Sequence, residues 1–167
     1  TMQMNYDFLD NFIFPNKAIT LKNRVVMAPT TLRASFEDGS VTTDELAYYQ
    51  LRSKGVGLVI AEAAYVNPLG RGWEGAISIA DDDKIPGLRR LASAIQSGGA
   101  KAVLQLVAAG RQSTTTILRG EQPVSASAQA YPHGEHEQPR ALSHEEIAQN
   151  INDFAQATKR AILAGFD

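Results

Sequence analysis

Val56-Gly57-Leu58-Val59-Ile60-Ala61 runs without a charge or a polar side chain. Such a stretch is expected of a strand buried on both faces, as in a parallel sheet covered by helices. The flanking sequence supplies those helices. Upstream, residues 43–54 read as helical. Thr42 and Glu45 have capping-box spacing, so hydroxyl and carboxylate each satisfy an N–H that has no partner within the helix. Gly55 reads as the stop. Downstream, residues 86–97 carry Leu88, Leu91, Ala92 and Ile95 as one apolar stripe, ended by Gly98-Gly99.

The same alternation extends both ways. Residues 24–28 (RVVMA) form a short β-branched run closed by Pro29, a first strand. Residues 14–23 read as a hairpin before it. Residues 102–106 (AVLQL) form a third buried strand. A long polar loop follows over 107–142, a length that is usually functional or flexible inside a compact domain. Ser143 and Glu146 repeat the capping box and open a helix with Ile147, Ile151, Phe154, Thr158 and Ile162 on one face. Gly165 ends it, and Phe166-Asp167 reads as the first step of a fourth strand. Strands separated by helices imply right-handed parallel crossovers. The order alone leaves a closed barrel and an open doubly wound sheet both standing. A three-stranded parallel sheet keeps raw edges that closure would remove. We therefore expect residues 1–167 to be a single partial domain: a fragment, an engineered half, or one piece of a two-piece assembly.

Composition narrows the class. Hydrophobic residues make up 44% and charged residues 20% of the 167, with net charge −2. That balance suits a globular protein and gives no electrostatic footprint for nucleic acid or an anionic membrane. No apolar run approaches the roughly 18 residues that cross a bilayer, and residues 1–10 lack the basic and apolar regions of a secretory signal. There is no cysteine, so disulfides, thiolate metal sites and a cysteine nucleophile are excluded from this chain. A cytoplasmic setting is expected.

In parallel α/β folds, ligands bind at the C-terminal ends of strands. After the first strand come Pro29, Thr30, Thr31, Leu32 and Arg33. After the second come Glu62, Ala63 and Ala64. Gln105 interrupts the end of the third as a buried amide that needs a partner. These positions offer hydroxyl, amide and backbone groups, with no metal cluster and no nucleophile–base pair. That inventory suits a flat heteroaromatic cofactor: a carboxamide can donate to a ring carbonyl and accept from a ring N–H at once, and a hydroxyl can tune the ring's reduction.

The motifs themselves resemble one family. Leu21-Lys22-Asn23-Arg24-Val25-Val26-Met27-Ala28-Pro29-Thr30-Thr31 is similar to the opening motif of old yellow enzyme relatives, the NADH:flavin oxidoreductases and ene-reductases. Ala61-Glu62-Ala63-Ala64-Tyr65-Val66-Asn67-Pro68-Leu69-Gly70-Arg71-Gly72 resembles their second-strand segment. Leu104-Gln105-Leu106-Val107-Ala108-Ala109-Gly110-Arg111 resembles the third-strand motif, and Pro123-Val124-Ser125-Ala126-Ser127 resembles the loop before the next helix. The resemblance implies a (β/α)₈ TIM barrel, of which this chain is the first half: about three βα units behind an N-terminal hairpin. It implies FMN as cofactor, NADH or NADPH as reductant, and a small-molecule substrate such as an activated alkene. Ala28, Pro29, Thr30 and Thr31 match the segment that lines the flavin, with Thr31 at the position that tunes it. Ala63 matches a backbone contact, and Gln105 the amide that reads the pyrimidine edge. Two departures stand out. Ala108 occupies a place usually held by histidine. The family's substrate-binding His-x-x-His or His-x-x-Asn pair, its proton-donating tyrosine and its phosphate site all belong to later sequence. The alternative is a non-catalytic half-barrel that self-associates as a homo-oligomer, or that pairs with a complementing second half.

Plainer readings stand beside the functional ones. Thr30 and Thr31 can cap a turn, and Ala63 can be small-residue packing. Arg33 reads as a substrate contact or, preferably, as a partner for a surface carboxylate. Glu62 reads as a general base or, preferably, as a structural hydrogen-bonding partner pointing opposite to Ala63. Arg111 orders the loop or lines the pocket mouth. Asp81 to Asp83 reads as a solvated loop, and so does the His133, Glu135, His136, Glu137 group, which lacks rigid support for a metal. Gly70-Arg71-Gly72-Trp73-Glu74-Gly75 matches G-x-G-x-x-G in form only, because neither a strand directly before it nor a helix opening within it is expected.

Overall fold

A computed structural model describes residues 6–16 and 18–167. Residues 1–5 and Lys17, which fall within the stretches read above for a signal and for a hairpin, lie outside the described residues. The order is β1 (Phe12–Ile13), β2 (Thr20–Leu21), β3 (Val26–Met27), α1 (Thr43–Arg52), β4 (Leu58–Tyr65), α2 (Ile85–Gln96), β5 (Lys101–Val107), β6 (Val124–Ser125), β7 (Arg140–Ala141) and α3 (His144–Ala164). Strands β3, β4 and β5 form one parallel sheet in that order. Strands β1 and β2 pair antiparallel as a hairpin, with its first strand just ahead of the expected residues 14–23.

One face of this sheet is covered by helices. Val59, Ala61, Ala102 and Leu104 point to it and meet Leu88, Leu91, Ala92 and Ile95 of α2 in a single buried cluster. Each fully buried leucine or isoleucine there contributes roughly 1.5–3 kcal/mol. The expected stripe of α2 is therefore the observed one. The capping box at Thr42 and Glu45 also forms.

Lys22 ties the hairpin to this layer. Its Nζ donates to the carbonyls of Lys54 (2.7 Å) and Gly98 (2.6 Å), just past the ends of α1 and α2. A cation suits that position, because the last carbonyls of a helix carry partial negative charge.

Several boundaries differ from the sequence reading. The first strand shrinks to two paired residues. The second begins at Leu58, because Gly57 lies against Asn23; a Cβ on Gly57 would come within 2.1 Å of the Asn23 carbonyl oxygen. It then runs on to Tyr65, so Glu62, Ala63 and Ala64 belong to the strand and do not follow it. Gly55 is not the helix stop. α1 ends at Ser53 in a right-handed conformation, with Ser53 buried and its Oγ donating to Gln50 O (3.1 Å). The 107–142 segment carries some order of its own through the β6–β7 pair.

The largest correction concerns α3. Its expected face of Ile147, Ile151, Phe154, Thr158 and Ile162 is not the packed one. The core side consists of Phe154, Ala157, Ala161 and Ala164, while Ile151 and Ile162 are 67% and 68% exposed. Alanines let the helix approach α2 and β5 closely, and that contact overrides the side with the greater hydrophobic mass. After Gly165, in the left-handed conformation (φ 94°), the Asp167 N–H donates to Ala102 O (2.8 Å). The Asp167 carboxylate meets Lys101 Nζ (3.0 Å) and the Ala102 N–H (2.9 Å). The chain thus turns onto the edge of β5 as a next strand would, although no strand forms there.

Candidate functional site

The sheet face away from the helices is open, and its residues follow from the register. Val26 pairs with Leu58, Ile60 with Val103, and Ala63 with Gln105. Alternation places Val26, Ala28, Ile60, Val103 and Gln105 on this side. Val26 is 48% exposed and Gln105 is exposed. Gln105 is thus not the buried amide read from its apolar neighbours. Among the described residues, its carboxamide has no hydrogen-bonding partner in the protein.

A bulge decides what stands next to Gln105. Ala61 pairs with Leu104 and the following pair is Ala63 with Gln105, which leaves Glu62 as the extra residue. A regular ladder would put the Glu62 carboxylate opposite Gln105 on the open face, because each step along a strand switches sides. The bulge installs the Ala63 methyl there, beside exposed Gln105, although Ala63 itself is largely covered at 7% exposure. It directs Glu62 toward α1, where it is 0% exposed. Glu62 and Ala63 do point opposite ways as expected, but only the bulge gives Ala63 the site side.

Glu62 then acts on the loop after β3. Its Oε2 accepts the Leu32 N–H (3.0 Å), and its own N–H donates to the Tyr49 hydroxyl (2.8 Å). This fits the structural reading of Glu62. Burial pushes its carboxyl well above the usual carboxylate range, to about 7. Neighbouring Glu45 adds to the rise, and the Leu32 and Arg33 N–H groups work against it. Burial likewise raises the Tyr49 phenol. The sequence showed Glu45 only as a cap; its place beside Glu62 depends on how α1 packs on β4.

Ala28, Thr30, Thr31 and Arg33 are exposed along this loop, and Pro29 is half-buried. Thr30 Oγ1 donates weakly to Ala28 O (3.5 Å), which fits a turn cap. The Thr31 hydroxyl has no partner among the described residues. Arg33 has φ 56°, a left-handed conformation that costs a non-glycine residue about 1 kcal/mol or more. Gly75 makes room for it: a Cβ there would come within 2.4 Å of the Arg33 carbonyl oxygen. Gly75 O also accepts the Ser35 N–H (3.2 Å). The guanidinium of Arg33 meets no carboxylate among the described residues, so the surface ion pair preferred above is not formed there.

The other candidates resolve more simply. Arg111 lies over the Tyr131 ring (5.8 Å) and donates to Gln129 O and Ala130 O (3.4 Å each), so it ties the long loop together. Asp82 pairs with Arg160 (2.7 Å) and Asp83 with Lys84 (3.2 Å), and both carboxylates stay largely exposed, in keeping with the expected solvated loop. No group of His, Cys, Asp or Glu among the described residues has metal-binding geometry. Gly70 ends a short 3-10 turn (Pro68–Gly70), Gly72 lies in irregular backbone and Gly75 in a turn, and no helix opens within the stretch. An apolar groove of about 620 Å³ lies between Pro68, Gly70, Ala108, Ala126, Ile147 and Ile151, and it includes none of Thr31, Ala63 or Gln105.

The comparisons bear on the family and the fold. Over 159 residues the chain is 43% identical to the NADH:acrylate oxidoreductase of Vibrio harveyi, covering 95% of this chain and 16% of that protein. The old yellow enzyme homologue from Zymomonas mobilis superposes with TM-score 0.83 at 29% identity, over 97% of this chain and 47% of that one. Morphinone reductase in complex with tetrahydroNAD gives TM-score 0.83 at 30% identity, over 98% of this chain and 48% of that one. The solved relatives are TIM barrels, as the expected fold class requires, and this chain spans slightly less than half of each. Residues 14–167 match the NADH:flavin oxidoreductase / NADH oxidase family, and the chain belongs to it.

Proposed function

We propose that this chain carries the flavin-seating part of an FMN-dependent oxidoreductase that takes reducing equivalents from NADH or NADPH and delivers them to a small activated alkene. The observation that carries the reading is the open-face pair Ala63 and Gln105, with the free Thr31 hydroxyl on the neighbouring loop. The residues suit the cofactor. The unpartnered carboxamide of Gln105 offers a donor and an acceptor to the edge of a heteroaromatic ring. The Ala63 methyl, placed there by the bulge, leaves space for a flat group. A carboxylate at that position would set negative charge against the charge that a flavin ring gains on reduction.

Bound FMN would supply hydride transfer between nicotinamide and acceptor. The chain's own residues orient and seat it. Gln105 fixes its rotation in the plane of the ring, Ala28, Pro29 and Thr30 shape one wall, and Thr31 presents a hydroxyl that adjusts how readily it is reduced. Arg33, exposed and free of a carboxylate partner, stands at the rim as a contact for an anionic substrate group. The name of the Vibrio harveyi relative supports an alkene conjugated to a carboxylate as the acceptor class.

The test is a titration of the protein with FMN, followed by visible absorbance and by mass in solution. Saturable binding that weakens roughly tenfold in Gln105→Leu supports the reading. A second reading, self-association as a non-catalytic half-barrel through the open face, draws on the 48% exposure of Val26. A folded dimer that does not bind FMN would favour it and overturn the first.

A further inference from the structure

We propose that Glu62 and Glu45 form a proton-sharing carboxyl pair that positions the Leu32–Arg33 turn, making Glu62 a positioning residue for the loop that carries Thr31. The clamp itself stands on its own geometry; its consequence for the flavin rests on the function proposed above.

Both carboxyls are 0% exposed, and among the described residues no ion pair reaches either one. Two charged carboxylates held together without a cation would repel each other in a medium that screens them poorly, so one proton must be shared between them. The hydrogen bonds say where it resides. Glu45 is occupied as an acceptor: Oε1 takes the Ser35 hydroxyl (2.6 Å) and Oε2 takes the Thr42 N–H (2.7 Å). Glu62 Oε2 takes the Leu32 N–H, but Glu62 Oε1 is enclosed and receives nothing. An enclosed carboxylate oxygen without a donor is costly, whereas the same oxygen carrying a proton becomes a donor to Glu45. The neutral form of Glu62 resolves both the repulsion and the orphan. The raised proton affinity of Glu62 agrees with this placement. Among the described residues, the other titratable group facing the pair is the Tyr49 phenol of α1, which burial keeps in its neutral form.

The clamp holds a turn that would otherwise relax. Arg33 is left-handed, and such a conformation persists only where its surroundings over-determine it. Gly75 supports it from one side and Glu62 from the other. When Glu62 ionises, its charged oxygen holds the Leu32 N–H more strongly while repulsion from Glu45 acts against the pair. The grip on the turn therefore changes as pH rises through the neutral range.

Amide exchange at Leu32 and Arg33, followed by NMR without FMN across pH 6 to 8.5, reads the clamp directly. We expect exchange in the unaltered protein to depart from the intrinsic base-catalysed trend across this range. Glu62→Gln, which keeps the acceptor for Leu32 and supplies an N–H toward Glu45, should remove that departure and keep the protection. Glu62→Leu, with its fold checked by circular dichroism, should speed exchange at these two amides roughly fivefold or more at the lower pH. A protein whose pH trend matches that of Glu62→Gln, or a folded Glu62→Leu with unchanged protection, would overturn the proposal. In the FMN-loaded protein, the flavin midpoint potential should show a pH-dependent component that disappears in Glu62→Gln. Failure to bind FMN would leave the exchange result standing and would count against the function alone.

Discussion

The two faces of the β3–β4–β5 sheet are made from the same strands and differ in nearly every physical respect. On the helix side, Val59, Ala61, Ala102 and Leu104 are buried against α2 in close-packed contact. On the open side, Val26 and Gln105 are exposed and Ile60 and Val103 are only partly covered. The covered face carries stability, and the open face is the one proposed to seat the flavin. The bulge at Glu62 is where they exchange a residue: it moves a carboxylate from the open side to the packed side and gives Ala63 in return.

The sharpest way to break this comparison is to shorten one apolar side chain to alanine on each side. Leu91→Ala on the covered side should cost about 2–5 kcal/mol in denaturant unfolding, whereas Val26→Ala on the open side should cost under about 1 kcal/mol. Similar losses would mean that the open face is packed in solution. Gln105→Leu should separate the faces in the opposite sense, weakening FMN binding roughly tenfold, or about 1.4 kcal/mol, with little change in the unfolding midpoint.

The bulge residue predicts a pH effect with a definite sign. The folded Glu62 carboxyl is raised from 4.5 to about 7, so between those values the native chain binds more protons than the unfolded one. Stability from this group is therefore fully present below pH 4.5 and is lost as pH rises through about 7. Subtracting the stability curve of Glu62→Gln from that of the unaltered protein should isolate this slope; a flat difference would show that the carboxyl titrates normally.

Two smaller effects calibrate the packed layer. Thr42→Ala removes the α1 cap, in which Thr42 Oγ1 accepts the Glu45 N–H (3.3 Å), and should cost about 1 kcal/mol in thermal unfolding. Glu37→Gln breaks an exposed ion pair with Arg119 (3.2 Å) and should shift stability by less than about 0.5 kcal/mol.

Legibility followed the range of the interactions. The α2 stripe, the two capping boxes and the parallel strand order were readable because each depends on neighbours within a few residues or on simple periodicity. The α3 face was misread because its packing favours the small Ala157 and Ala164 over the larger Ile151 and Ile162, a preference set by how near α2 and β5 lie. The fate of Arg33 was hidden for a related reason. Nothing local marks a left-handed arginine, and the glycine that accommodates it is Gly75, far along the chain.

By itself, then, the sequence determined the alternation of buried strands and amphipathic helices, the absence of thiol chemistry, and the motif residues from Ala28 to Thr31, Ala63 and Gln105 that mark the family. Only the tertiary structure decided that Ala63 and Gln105 share a face and that Glu62 meets Glu45. A register slip of one residue reverses which side a side chain takes, and that slip is set by pairing between strands some forty residues apart.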